Sequence, residues 1–414
     1  MSNKPILSTD NTTVIYEIGE TIKTWKPEET SNSLTQLAAG KGYYIIPKED
    51  ITLPVKVVEE PKPTGNIIRL PVANDGIYLK DVAGTLKPEP GDTLLIPTGI
   101  YIKLINLQNF SGTAEKPIII KQENPEDRPG GYNSYGLSLT NAKHFILDGV
   151  HMDGKDVNVG IGIGIGTGCS DFKVLNCSSV RSGIGMQIKV NPGTATSQRY
   201  PTTIANVVIK NFYSANVGAE GIYIGYSGGT SVPAGVVPVP INGLTMENIT
   251  TENTGWDGVQ ITGAINFSGK NFVVNNFGTK NAGGQNRGIA LQTNTTGVLD
   301  GFTIENGNGA GLTIFGREDL TVKNGTIKNV GIDNKVGDGI YVSDYPSNYD
   351  QGPLSLRIQN VTLDGYTRFP INMQNTRKTM VAGIIENFVY KNGKGTYKIN
   401  NSVGSQILGG TEGK

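Results

Sequence analysis

The chain has 414 residues with 36 basic and 36 acidic side chains, a formal net charge of zero. That gives no case for a nucleic-acid partner, since phosphate binding needs clustered Lys and Arg. Charged residues make up only 17% of the chain and Gly accounts for 56 positions, about twice its usual share, so the composition points to a polar surface and many turns rather than long helices.

Residues 1–53 carry strand-like runs, a Trp-Lys-Pro turn and the hairpin arm "GKGYYII". They read as a small β-rich N-terminal module for attachment or assembly, able to dock to a particle or a partner protein. "AAGKGYYII" leads into a strand instead of a helix, so it is not a phosphate loop. The opening "MSNKPILSTDNTT" lacks the apolar core of a signal peptide, and none is expected. "PVKVVEEPKPTG", residues 54–65, is rich in Pro and charge and reads as a linker to a second domain, 66–414. No apolar run reaches the ~18 residues of a membrane-spanning helix, so no membrane insertion is expected.

In the second domain, "LKDVAGTLKPEPGDTLLIPTGIY" (79–101) reads as a short amphipathic helix, a turn and a strand, followed by "SGTAEKPIIIK" (111–121) and "HFILDGV" (144–150). "DGVHMDGKD" gathers Asp148, Asp153 and Asp156. Such oxygens suit Ca²⁺, although the spacing is not that of a calcium loop and turn carboxylates are the plainer reading; otherwise no cofactor is expected. His144 and His151 are the only histidines, too few for a His-based zinc site. Cys169 and Cys177 make no disulfide framework and read as free buried thiols. "GIGIGIGTG" (160–168) fits close backbone packing.

From about residue 140 one phrase recurs: apolar–x–apolar–x–Asn. It ends at Asn176, Asn211, Asn248, Asn276, Asn306, Asn324, Asn360 and Asn387, at intervals of 18 to 37 residues. Five of these are followed five positions on by a second Asn: Asn216, Asn253, Asn281, Asn329 and Asn392. Within the phrase the period is two, so Ile209 and Lys210 point to opposite faces. A short strand follows a Gly in each unit: "GIYI", "GVQI", "GIAL", "GLTI", "GIYV". Uneven intervals around a fixed phrase mean one supersecondary unit per repeat, with insertions confined to one class of loop. Stacked at roughly 4.8 Å, such units form a parallel β-helix in which like residues lie above like. The Asn residues are expected to form an internal ladder, with Asn211, Asn248 and Asn276 in one file.

The order helix, Gly-Asp-Thr, strand, then repeats resembles the opening of right-handed parallel β-helix proteins of the chondroitinase B/alginate lyase type, in the wider pectate-lyase-like group. The resemblance covers about residues 66–400. It implies an all-β, right-handed parallel β-helix whose short N-terminal helix caps the open first coil. The paired Asp motifs and Gly-His-Gly of polygalacturonase-like hydrolases are absent. So is the Tyr-Gly-x-Asp-Pro-His phrase of mannuronan epimerases. Arg317 and Lys323 in "GREDLTVKNG" do not form the Lys/Arg pair of the lyases.

Aligning the short strands on their Gly places Glu220, Asp257, Arg287, Ala310 and Asp338 in one column. Tyr223, Gln260, Ala290, Thr313 and Tyr341 form the next outward column, then Gly225, Thr262, Gln292, Phe315 and Ser343. Glu220 and Asp257 on neighbouring coils suit glycosidase chemistry, and an acid beside Arg287 suits uronate elimination. These three are the catalytic candidates. Tyr223, Trp256, Gln260, Gln292, Asp338 and Tyr341 are the candidate carbohydrate contacts, the aromatic ones as flat platforms for sugar rings. The alternative for each acid is turn chemistry: Gly supplies positive φ and the carboxylate bonds nearby N–H groups. The preferred reading is an extracellular or virion-borne, trimeric, tail-spike-like protein that binds surface polysaccharide and also degrades it in some forms. A polysaccharide lyase or glycosidase acting on an acidic polysaccharide, and a structural spacer without ligand, are the alternatives.

Overall fold

The computed structural model describes residues 65–98, 102–190, 204–227, 239–292, 294–315, 319–332, 337–343, 354–374 and 380–395, and the backbone of strands at 12–17, 23–25, 43–47, 398–400, 406–408 and 411–412. Two compact units result, Met1–Glu60 and Pro61–Lys414. The first holds a three-stranded antiparallel sheet in which Thr12–Glu17 lies between Lys23–Trp25 and Tyr43–Pro47.

In the second unit every pairing between named strands is parallel, and each strand pairs with its counterpart one coil later. One coil shows the plan. Strand Ile241–Thr254 bends at Asn248 (φ 55°) and Asn253 (φ 51°), the chain turns through Gly255–Gly258, and Val259–Thr262 completes the circuit. Alternation decides which way side chains point. Ile209 and Met246, in register, are fully buried, while Lys210 and Glu247 beside them lie outside and form an ion pair at 3.1 Å. The inward files make one continuous core from Leu70 to Tyr390. Each Leu, Ile or Phe buried there contributes roughly 1.5–3 kcal/mol. Phe145 and Phe172 stack at 5.0 Å between coils. The helix is short, Val82–Leu86, with the Asp81 carboxylate accepting the Gly84 N–H at 2.9 Å and Val82 in the core. Cys169 and Cys177 are buried free thiols, pushed up to about 11 and about 12 by burial.

The Asn ladders exist, but they run along the outside corners, and the expected file divides between two of them. In the first, Asn211 donates to Asn176 at 2.8 Å, Asn248 to Asn211 at 2.9 Å and Asn271 to Asn248 at 3.1 Å. In the second, Asn253 donates to Asn216 at 3.0 Å and Asn276 to Asn253 at 2.7 Å. Asn276 therefore stacks in the other file, and Asn271 takes the place expected for it. These side chains are solvent-exposed. Asn holds them because it tolerates the left-handed backbone each corner needs; the amide chain is an added contact.

The glycine that opens each short strand also needs correction. Gly221, Gly258, Gly288, Gly311 and Gly339 are not among the positive-φ residues. A Cβ on Gly258 would sit 2.3 Å from Val274 Cγ1, and one on Gly288 would sit 2.3 Å from Ile304 Cγ2. The opposite wall packs against bare backbone there, and that close approach is why Gly recurs.

Candidate active site

Short strands Ile184–Ile188, Ile222–Ile224, Val259–Thr262, Ile289–Gln292, Leu312–Ile314 and Ile340–Ser343 pair in sequence to make one face. The Gly221 N–H donates to the Asp257 carbonyl at 3.1 Å, Gly258 to Arg287 at 2.9 Å, Gly288 to Ala310 at 3.0 Å and Gly311 to Asp338 at 3.1 Å. Glu220, Asp257, Arg287, Ala310 and Asp338 thus follow one another, one coil apart. Tyr223 lies beside Gln260, Gln260 beside Ala290, Ala290 beside Thr313 and Thr313 beside Tyr341, while Thr262 lies beside Gln292.

Glu220 and Asp257 sit in a dry environment, 2% and 0% exposed. Asp257 Oδ1 accepts the backbone N–H of Arg287 at 2.8 Å, and the Arg287 guanidinium lies 3.5 Å from Oδ2. Glu220 Oε2 and Asp257 Oδ2 have no hydrogen-bond donor. Leaving buried carboxylate oxygens unpaired is costly. Burial, then the charge of Asp257, pushes the Glu220 carboxyl up to about 7, against the pull of Lys189. Burial raises Asp257 as well, against the charge and N–H groups of Arg287. Asp257 has a directly bonded counter-charge and Glu220 has none, so Asp257 is the acid that ionises first and Glu220 the one that keeps its proton to near neutrality.

The candidate glycan contacts divide. The Tyr223 hydroxyl lies 3.0 Å from Ser227 Oγ, which also accepts Gln260 Nε2 at 2.9 Å, so Tyr223 and Gln260 are tied together beside the acids. Gln292 is 8% exposed, one coil beyond Gln260. The Tyr341 ring meets Phe315 edge-on at 5.9 Å, four strand spacings from Tyr223, roughly 19 Å. Trp256 is half-buried in the turn before the face, where its carbonyl accepts the Gly278 N–H at 2.9 Å. Asp338 is fully buried: Arg368 binds both its oxygens, and Asn372 donates to Oδ2 at 2.9 Å. Asp338 thus joins coils through Arg368 and Asn372.

Two neighbours of the acids escaped the sequence reading. Lys189 follows strand Ile184–Ile188, with its ammonium 4.5 Å from the centre of the Tyr223 ring. It occupies the outward column of the coil before Gly225, and "GIGMQIK" shows it once the Gly alignment is extended upward by one coil. Ser227 lies in a loop, where periodicity gives no signal.

Asp148, Asp153 and Asp156 do not converge. Asp148 accepts Asn176, Asp153 pairs with Arg181, and Asp156 accepts the Asn158 N–H. Among the described residues no three His, Cys, Asp or Glu side chains form a metal cluster, and no helix there is long and apolar enough to cross a membrane. Arg317 lies outside the described residues. A cavity of about 280 Å³ lined by Thr113, Pro117, His144, Asp171, Lys173 and Asn206 lies on another wall and holds none of the candidate acids.

Residues 193–349 match the sequence family described as right handed beta helix region. No curated protein matches the chain. Among solved structures it is similar to a lacto-N-biosidase from Eubacterium ramulus, at 11% identity and a TM-score of 0.53, over 77% of this chain and 62% of that one. It is similar to the A-module of a mannuronan C-5 epimerase from Azotobacter vinelandii, at 10% identity and a TM-score of 0.50, over 79% of this chain and 90% of that one. An alginate lyase from Paenibacillus sp. str. FPU-7 aligns at 14% identity and a TM-score of 0.48, over 80% of this chain and 98% of that one. The likeness is one of fold: the chain winds as a right-handed parallel β-helix.

Proposed function

We propose that the protein binds a polysaccharide across the face of short strands and cleaves its glycosidic bonds with Glu220 as proton donor. The observation that carries this reading is the acid pair, one coil apart and buried, in which Asp257 is ion-paired with Arg287 while Glu220 Oε2 has no hydrogen-bond donor. Two carboxyls whose surroundings separate their proton affinities are the usual arrangement for acid catalysis near neutral pH. Glu220, held to about 7 by burial and the Asp257 charge, passes its proton to the glycosidic oxygen as the bond to the anomeric carbon breaks. Asp257, with Arg287 as its counter-charge, faces the positive charge that develops on the sugar, and water supplies the hydroxyl that completes the product while its other proton returns to the Glu220 carboxylate. The main chain sets the backbones of the two acids on neighbouring coils, roughly 4.8 Å apart. Tyr223, Gln260 and Gln292 supply a ring face and amides for the sugar. The names of the fold neighbours, a lacto-N-biosidase and a mannuronan epimerase, support a glycan as the ligand class.

The near-complete burial of Glu220 and Asp257 favours a second reading, glycan capture without cleavage. There the protein is a tail-spike-like adhesin, extracellular or virion-borne, trimeric through its solenoid flanks, with residues 1–53 as the attachment module. Incubation with uronate-rich and neutral polysaccharides separates the two. New reducing ends support hydrolysis, ultraviolet absorbance of an unsaturated product indicates elimination instead, and binding without product leaves the adhesin. Neither binding nor product on a broad panel contradicts both.

A further inference from the structure

The cavity on the wall away from the acids lies between two fixed rims. Its floor is built from outward positions on successive coils, where Ile146 lies beside Lys173 and Lys173 beside Val208. Phe145 and Leu147 point into the core, so Ile146 between them faces out, yet it is only 4% exposed. One rim is the turn from Gly112 to Pro117. It is pinned: the Gly112 N–H donates to the Lys143 carbonyl at 3.1 Å, Thr113 to that of Lys116 at 3.0 Å, and Lys116 back to Thr113 Oγ1 at 3.1 Å. The other rim is a row of left-handed corners on three coils, His144 (φ 49°), Asp171 (φ 55°) and Asn206 (φ 53°). The hollow between them measures about 280 Å³, just under the roughly 300–1,000 Å³ of typical ligand sites, so it has room for one ring rather than a chain.

The corner row holds hydrogen-bonding capacity that the fold does not use. Asn206 Nδ2 donates to Asp171 Oδ1 at 2.6 Å, and the Ser170 hydroxyl to Oδ2 at 2.6 Å. Burial pushes the Asp171 carboxyl up, but these two bonds outweigh it and hold it below its ordinary value, so it is ionised. In the ladder from Asn176 to Asn271 each amide oxygen receives the amide of the next coil. Beside Asn206 the next corner is Gly243, which has no amide to give. Among the described residues neither Asn206 Oδ1 nor the His144 ring has a hydrogen-bond partner. The cavity therefore presents open acceptors at Asp171 and Asn206, and an imidazole able to donate or accept, above an apolar floor. An anion entering it meets the Asp171 charge, and a cation meets that of Lys173. A wholly apolar ligand would strip water from an ionised carboxylate. A neutral ring with hydroxyls at its edge fits every wall. We propose that this cavity is a second sugar-binding site, taking one neutral pyranose unit with its C–H face on Ile146, Val208 and Pro117 and its hydroxyls on Asp171, Asn206 and His144. Strand Ile204–Val217, which carries Asn206 and Val208, runs on into the turn of Glu220. The site therefore shares a coil with the acid pair on a different wall, and it holds its sugar whether or not the acids cut a glycan.

The test is carbon-13 methyl NMR of the full chain with labelled isoleucine, the Ile146 δ1 signal being assigned by its loss in Ile146→Val. The probes are methyl glucoside, methyl galactoside and N-acetylglucosamine, with glucuronate, glucosamine and leucine as charged or zwitterionic controls, each titrated through the millimolar range. At least one neutral sugar is expected to move the Ile146 methyl in a saturable way, and the controls to move it less. Val208→Phe, which fills the floor, should abolish the shift. Asp171→Asn keeps a residue that tolerates the left-handed corner and loses the charged acceptor, so its affinity should be roughly tenfold weaker or more. Circular dichroism checks each fold, and the Asp171→Asn comparison decides if Val208→Phe does not fold. An Ile146 methyl unmoved by all three neutral sugars overturns the proposal, as does unchanged affinity in Asp171→Asn or a stronger response to any of the controls. No cleavage enters this readout, so its result is separate from that of the polysaccharide panel.

Discussion

The N–H of Gly221, next in sequence to Glu220, donates to the carbonyl of Asp257 at 3.1 Å. Two acids 37 residues apart in the chain are thereby fixed on neighbouring coils by the same ladder that builds the solenoid. Their separation belongs to the fold and needs no loop to maintain it, while their proton affinities depend on what surrounds each.

The Glu220 environment has a stability consequence. Its ordinary value is 4.5 and burial pushes it up to about 7, so between those values the folded chain holds a proton that the unfolded chain has released. Stability must therefore fall as pH rises through that window and level off above it. The loss amounts to about 3–4 kcal/mol, from a difference of about 2.5 pH units at about 1.4 kcal/mol each. Glu220→Gln removes the titration. In urea unfolding the variant is expected to exceed the parent by about 1–3 kcal/mol at pH 8 and to match it near pH 4.5. Parallel pH profiles for the two proteins would rule out this burial effect.

Asp257 and Asp338 share a column and differ in task, which sets up a paired comparison. Asp257→Asn removes the charge facing the sugar and should abolish most cleavage while the fold survives. Asp338→Asn should leave the cleavage rate within about threefold but lower stability by about 1–3 kcal/mol, because Arg368 loses its partner. Equal cleavage rates in the two variants would remove Asp257 from the mechanism.

Much of this arrangement could be read in advance. The winding follows from repeated phrases, and the Gly-aligned columns Glu220–Asp257–Arg287 and Tyr223–Gln260–Ala290 coincide with the strand register. The Asn files were less legible. These coils have two corners five residues apart, and the phrase ending at Asn276 marks the second, so Asn271 rather than Asn276 falls beside Asn248, and "GKNFV" lacks the apolar–x–apolar phrase. Burial was the larger omission. Period-two alternation assigns Asp338 and Gln260 to the outside, yet they are 0% and 2% exposed, because partners such as Arg368 and Ser227 come from turns whose path no periodicity encodes. The role of the strand-opening Gly was misread for a similar reason: what it avoids is a side chain on the opposite wall.

That role can be measured. Gly288→Ala places a methyl 2.3 Å from Ile304 Cγ2 and 2.5 Å from the Gly311 carbonyl oxygen. Overpacking of this kind costs about 1–3 kcal/mol, read as a lower urea midpoint at constant slope. Pairing it with Ile304→Ala should recover part of the loss relative to the sum of the single variants. Full additivity would mean that the methyl and Ile304 never meet.

The corner ladder separates backbone from side chain. Asn248 has φ 55° and bonds both Asn211 and Asn271. Asn248→Ala loses both features and should cost about 1–2 kcal/mol. Asn248→Gly keeps the left-handed corner and loses only the amide chain, so it should cost less than Ala. A Gly variant as unstable as the Ala variant would make the amide chain, not the corner, the reason for Asn.

The central claim concerns Glu220, and the most direct measurement is the cleavage rate of Glu220→Gln beside the parent on whichever polysaccharide the panel shows to be cut. Loss of a general acid is expected to slow the reaction by about 10²–10⁴-fold, with polysaccharide binding retained. Cleavage by Glu220→Gln at the parental rate would contradict the account.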